Sequence, residues 1–259
     1  MTDQISPPRV SVLGVRVSVL RVSQLLSLIE ETILNRQRAR LINVNIYGMN
    51  MAYGLPWFRT FLNQSEFVLC DGFGVKWGAR LLGHQLPERF TPPDWLPPLA
   101  ELACRQNFTF FLLGNRPGIA ERATTHLQQS FPKLQVVGTH HGYFDKTLGH
   151  PSNEAVVQTI QVARPNILFV GFGMPQQERW VLENWDRLPV NIVVTVGALF
   201  DYIADETPRG PRWMTDHGLE WLSRLLIEPR RLWKRYVLGN PLFLWRIFKQ
   251  RLGWLRFDD

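Results

Sequence analysis

Cysteine is nearly absent. Cys70 and Cys104 are the only two in 259 residues. Two cysteines cannot build a disulfide framework or a four-cysteine zinc site. No long hydrophobic run occurs either. The longest uncharged stretch, residues 41–58, is broken by three Asn, two Gly and a Pro. A spanning helix needs about 20 mostly apolar residues. The amino-terminal MTDQISPPRVSVLG lacks the apolar centre of a signal peptide, so export is not expected. A GxGxxG fingerprint and a Walker A loop are missing, which argues against an NAD-dependent epimerase or dehydrogenase. Helix-turn-helix, RNA-recognition and zinc-finger signatures are missing too, so nucleic acid is not an expected partner. His140-His141 is the one local metal hint. Neighbouring strand residues point apart and no acidic cluster is near in sequence, so no metal is expected.

What is present is unevenly placed. The chain carries net charge +7 and ten tryptophans. Between residues 207 and 257 stand eleven basic and only three acidic residues, a local net of +8, with five of the tryptophans. The rest is close to neutral. Composition therefore places a boundary near 205, giving a body over 1–205 and a basic, Trp-rich helical appendage over 206–259. Trp221, Leu222, Leu225 and Leu226 recur at helical spacing. Pro229 suits a first helical turn, and Asn240-Pro241 is expected to end that helix before a last one over 242–255. Basic residues beside Trp and Leu suit an anionic membrane surface. The alternative is a helical pair packed on the body with solvated Arg.

In residues 1–205, apolar strand-like runs alternate with helical ones. Strands are expected at 41–46, 67–70, 108–113, 134–138, 166–170 and 191–196, with a short strand pair around Gly14. Helices are expected at 24–36, 53–64, 75–82, from Gly118 to 130, at 154–163 and at 176–184. Such alternation means a mostly parallel α/β sheet with helices on both faces, Rossmann-like in outline. Ligands of such sheets bind beyond the carboxyl ends of the strands. The residues there are Asn43, Asn45, Asp71, Gly114, Asn115, Gly171, Gly173, Gln177, Glu178 and Gly197. Small residues and helix starts at these points favour an anionic or nucleotide ligand. Asp71, between an apolar strand and Gly72, reads as a general base or as a helix N-cap. Gln177 and Glu178 read as ligand contacts or as complements to a helix dipole. Cys70 reads as a buried small hydrophobe.

Several blocks in order carry a resemblance. They are Asn43-Val-Asn45, Cys70-Asp-Gly-Phe-Gly-Val75, Phe111-Leu-Leu-Gly-Asn-Arg-Pro-Gly118, His141-Gly-Tyr-Phe144, Val170-Gly-Phe-Gly-Met-Pro-Gln-Gln-Glu178, Val196-Gly-Ala-Leu-Phe200, and Gly218 through Leu232. With them the sequence resembles the WecG/TagA/CpsF family, glycosyltransferase family 26. The resemblance implies an inverting transferase that moves a hexose-type sugar from a UDP-sugar to a polyprenyl-diphosphate-linked saccharide. It implies work without metal or other cofactor, peripherally on the inner face of a bacterial cytoplasmic membrane, for wall or surface polysaccharide. It makes Asp71 the base and puts Asn43 and Asn45 near substrate, with Asn43 where the family has Thr. Gln177 becomes a substrate-contacting amide. Arg224, Arg231 and Arg235 become the cations for the leaving diphosphate. The rival of a different class is a non-catalytic, membrane-docked nucleotide-binding scaffold. Donor sugar, acceptor and homo-oligomerisation stay open.

Overall fold

The computed structural model describes residues 7–257. The first six and last two residues, part of the stretches read above for export and for basic charge, lie outside the described residues. The chain begins with β1 (Arg9–Val12), β2 (Val15–Ser18), α1 (Val22–Leu34), β3 (Ala39–Val44), α2 (Ile46–Gly54), α3 (Pro56–Gln64), β4 (Phe67–Cys70), α4 (Phe73–Leu81) and α5 (Pro92–Gln106). It continues through β5 (Thr109–Gly114), α6 (Ile119–Ser130), β6 (Gln135–His140), α7 (Pro151–Ala163), β7 (Ile167–Gly171), α8 (Gln176–Asn184), β8 (Ile192–Thr195) and α9 (Leu199–Ile203). The last part holds α10 (Arg212–Asp216), α11 (Glu220–Ile227), α12 (Pro229–Trp233), a π-helical segment (Lys234–Leu238) and α13 (Gly239–Arg251).

The sheet is parallel, six-stranded and ordered β4-β3-β8-β7-β5-β6, with helices flanking it, as the alternating pattern requires. Five of its six strands are buried along nearly their whole length, and β4, β7 and β8 have no exposed position, whereas the edge strand β6 has no buried one. β1 and β2 form a separate antiparallel hairpin through Leu13 and Gly14, both at positive φ.

The described residues divide into two compact units. The first comprises 7–21, Asn43–Thr91 and 208–257; the second comprises Val22–Ile42 and Pro92–Thr207. Of the basic segment read as an appendage over 206–259, the described residues from 208 onward fall in the same compact unit as 43–91. The reason is apolar burial. Leu232, Tyr236, Phe243 and Ile247 form the inward stripe of the last helices. A Cβ on Gly78 in α4 would lie 2.7 Å from the Phe243 ring, so glycine there allows α13 to pack closely.

Three local expectations need correction. The helix expected over 53–64 begins only at Pro56, as α3; Tyr53 and Gly54 end the preceding α2, and the extended backbone of Leu55 before Pro56 separates the two. The expected helices do not include α5, which holds Pro97 and Pro98 inside it. Burial of Trp95, Leu96, Leu99, Ala100, Leu102 and Ala103 overrides that local penalty. Asn240-Pro241 does not end a helix. Residues 229–251 run on as one helical stretch, with the π-helical segment just ahead of Pro241. A widened turn accommodates the missing N–H and the ring, which would otherwise break the regular ladder.

Candidate functional site

In the first unit, β4 delivers Asp71. Its backbone N–H donates to Val44 O at 2.9 Å, which sets it beside the end of β3. Asn43 is buried within β3, and Asn45 follows the strand as the N-cap of α2. Asn45 uses both ends of its amide. Oδ1 accepts from Gly48 N at 3.2 Å, and Nδ2 donates to Asp71 Oδ2 at 3.3 Å. An amide suits this post because it holds donor and acceptor in one group. Asp71 itself caps nothing. The N-cap of α4 is Gly72, with no side-chain cap bond. Gly72 has φ +85°, a conformation that frees Asp71 from the helix and that a side chain resists.

The Asp71 carboxylate also receives a hydrogen bond from the Thr91 side chain, and feels the charges of Arg224 and Arg235. By exposed area it is only half-buried, but the surrounding protein is dense enough that desolvation pushes its pKa up. Asn45, Arg224, Arg235 and Thr91 oppose that rise and favour the ionised form. Arg235 lies with its guanidinium carbon 4.7 Å from the Tyr47 ring centroid and 5.4 Å from that of Tyr236. Burial lowers its pKa, but a guanidinium remains charged at neutral pH. Its Nε is buried without a hydrogen-bond partner. Arg231 is placed differently. It is exposed and pairs with Glu228 at 2.5 Å, one turn away. Cys70 is buried, and its thiol pKa is pushed up by burial, so it is inert as a nucleophile.

The second unit gathers the glycine loops. Gly114 and Gly171 end β5 and β7 side by side, and a Cβ on Gly114 would sit 2.5 Å from Gly171 O. Asn115 N donates to the same Gly171 O at 3.0 Å, and Asn115 Oδ1 accepts from Arg116 N at 2.7 Å. After β7 the chain passes Gly173 and a cis Met174–Pro175 bond into α8. Gln177 turns inward. Its Oε1 accepts from Gly173 N at 3.2 Å and from Gly197 N at 3.1 Å, and its Nε2 donates to Glu178 Oε1 at 2.7 Å. Gln177 is 1% exposed and Glu178 0%. Gln177 thereby ties the loops after β7 and β8 together, while Glu178 holds Gln177 through Oε1 and keeps Oε2 buried without a hydrogen-bond partner. Burial raises the Glu178 carboxyl to about 7, against the Gln177 hydrogen bond that lowers it.

His140 and His141 do not point apart. β6 ends at His140, the chain turns there, and the rings lie 4.6 Å apart. Among the described residues no three His, Cys, Asp or Glu gather to hold a metal ion. Sequence reasoning missed Thr91 and Tyr47. Thr91 is twenty positions from Asp71 and follows no motif. Tyr47 shows only as an unremarkable residue after Asn45.

The model of the glycosyl transferase WecG/TagA/CpsF family matches residues 10–256. Among curated proteins, the N-acetylglucosaminyldiphosphoundecaprenol N-acetyl-beta-D-mannosaminyltransferases of Staphylococcus aureus strains MRSA252 and NCTC 8325 / PS 47 are each 26% identical over 245 residues. That alignment covers 94% of this chain and 93% of each relative. The chain belongs to the WecG/TagA/CpsF family and is a glycosyltransferase.

Proposed function

We propose that the protein transfers an N-acetylhexosamine-type sugar from a UDP-sugar to a saccharide carried on a polyprenyl diphosphate, with inversion. The relatives' names supply the starting choice: an N-acetylmannosaminyl group passed to N-acetylglucosaminyl-diphosphoundecaprenol. The observation that carries the reading is the setting of Asp71, a carboxylate held by Asn45 and Thr91 under the charges of Arg224 and Arg235.

Asp71 takes the proton of the acceptor hydroxyl. The hydroxyl oxygen forms a bond to the anomeric carbon, the bond from that carbon to the UDP oxygen breaks, and UDP leaves with the electron pair. A raised pKa makes the carboxylate a stronger base, while the two arginines, with Asn45 and Thr91, favour its ionised form. The same arginines can neutralise the leaving diphosphate by charge-assisted hydrogen bonds. The unpartnered, buried Nε of Arg235 supports that role. Arg231, on the surface with Glu228, is less well supported than Arg224 and Arg235. Gln177 acts by shaping the glycine loops, and Glu178 by holding Gln177.

The second half of the proposal is that residues 206–259 dock on the inner membrane face, where the lipid-linked acceptor lies. Trp213, Leu226 and Trp254 are more than half exposed, and Trp233, Leu242, Trp245, Phe248 and Leu252 are also exposed, with Arg230, Lys234 and Arg251 among them. Such a basic and apolar surface fits anionic lipid. Among the described residues no helix is long and apolar enough to cross a membrane. The test is mass spectrometry of a short-chain polyprenyl-diphosphate N-acetylglucosamine incubated with a panel of UDP-sugars. A mass gain of one sugar with release of UDP supports the reading. No product with any donor would sink it.

A further inference from the structure

One face of α2 receives the carboxyl-terminal helical run. Tyr47, Asn50 and Tyr53 stand three residues apart, so they share a stripe. Each holds a part of that run. Tyr47 lies under Arg235. Asn50 Nδ2 donates to Gly239 O at 2.8 Å. Arg246 Nη1 donates to Asn50 Oδ1 at 2.8 Å and to Asn50 O at 3.3 Å, and its guanidinium carbon sits 4.0 Å from the Tyr53 ring centroid. The order along α2 matches the order along the run. The amino end of α2 is Asn45, the partner of Asp71. A single nine-residue helix thus orients the base at one end and grips the run that carries Arg235 along its side.

The π-helical segment, residues 234–238, explains why a grip is needed. It contains Arg235 and interrupts an otherwise α-helical run. Such segments are local departures from the preferred ladder and frequently mark functional sites. Without a fixed point just beyond it, the run can slide or rewind, and Arg235 moves with it. Asn50 supplies that point by gripping Gly239, the residue immediately after the segment. It needs an amide to do so, since it donates to a carbonyl and accepts from a guanidinium at once.

We propose that Asn50, locked by Arg246, is a positioning residue for glycosyl transfer: it fixes the register of residues 229–251 on α2 and so holds Arg235 toward Asp71. This rests on the transferase reading above. Asn50 touches neither Asp71 nor reacting atoms and acts through Arg235.

The test compares the full chain with Asn50→Ala, Arg235→Ala, the double variant and Arg246→Met. The readouts are kcat and KM with a UDP-sugar and a short polyprenyl-diphosphate acceptor, the melting temperature, and amide hydrogen exchange over residues 234–246. Misplacing a reacting group by about 1 Å can cost on the order of 100-fold in rate. Asn50→Ala is expected to lower kcat by about that factor with little change in KM, and to speed exchange over 234–246. The double variant is expected to be no slower than Arg235→Ala alone. An unchanged kcat in Asn50→Ala, or losses that multiply in the double variant, overturns the proposal. If Asn50→Ala does not fold, Arg246→Met is judged by the same criteria. If the wild-type chain shows no transfer, the transferase reading fails by itself. Exchange then decides the latch: unchanged protection over 234–246 in the variants overturns it.

Discussion

The Asn45 side chain joins two jobs in one amide, capping α2 through Oδ1 and donating to Asp71 Oδ2 at 3.3 Å through Nδ2. The helix that frames the site and the proposed base therefore share one residue. Asn45→Asp keeps an acceptor for the cap but sets a second carboxylate against Asp71. Stability is expected to fall at neutral pH, where the two carboxylates repel, and to recover as pH is lowered and one of them takes up a proton. The acidic limb of the kcat/KM profile is expected to move to higher pH, because like charge disfavours ionisation. Asn45→Ala removes the cap and is expected to cost about 1 kcal/mol. Melting curves and pH–rate profiles check both, and an unmoved limb in Asn45→Asp would separate Asp71 from the rate.

Arg235 acts on Asp71 through charge, lowering a pKa that burial raises. Arg235→Met therefore raises the Asp71 pKa and moves the acidic limb upward. Loss of a donor to developing negative charge costs about 10²–10³ in kcat. Steady-state kinetics over a pH series checks the pair of effects. Arg231→Met, by contrast, removes a surface ion pair with Glu228 and is expected to leave the limb in place.

Glu178 gives a stability signature. Its carboxyl is raised from 4.5 to about 7 in the folded chain by burial. Below 4.5 both folded and unfolded chains hold the proton, so nothing is lost. As pH rises toward 7 the unfolded chain releases its proton first, and stability falls. The difference amounts to about 3 kcal/mol above pH 7. Glu178→Gln keeps an oxygen for Gln177 Nε2 and cannot ionise. It is expected to melt higher than wild type at pH 8 and near wild type at pH 4.5. Thermal melts at both pH values check this, and an identical pH dependence in both proteins would contradict it.

The proposed membrane docking makes a third kind of demand. Each basic side chain near an anionic bilayer contributes about 1 kcal/mol, roughly fivefold in partitioning. Replacing Arg230, Lys234 and Arg251 with Gln is expected to weaken sedimentation with phosphatidylglycerol vesicles by about two decades at low salt. Replacing Trp245 and Trp254 with Ser is expected to weaken it at all salt concentrations. Binding that ignores both changes would place the docking surface elsewhere.

Much of this architecture is legible in the sequence because its signals are local. The continuous apolar runs of β4, β7 and β8 announce a parallel sheet, and Gly72 and Gly114 mark strand ends. Asp71 is legible for the same reason: it follows such a run. What is not legible is what depends on distant partners. The bond from Gly197 N to Gln177 Oε1, spanning twenty residues, is a tie that no local pattern contains. The Pro-rich stretch of α5 and the passage through Pro241 break local rules and are rescued by burial and by a widened turn. The assignment of residues 208 onward with 43–91 follows from Phe243 meeting Gly78, a contact no composition count contains.

The most direct measurement is single-turnover transfer by Asp71→Asn, with UDP-sugar binding measured on the same preparation. Asn fills the same space and cannot accept the proton. If Asp71 is the base, the rate of product formation falls by about 10²–10⁴-fold while donor binding and melting temperature stay near wild type. Transfer at the wild-type rate by the folded, donor-binding variant would contradict the assignment of Asp71 as the base.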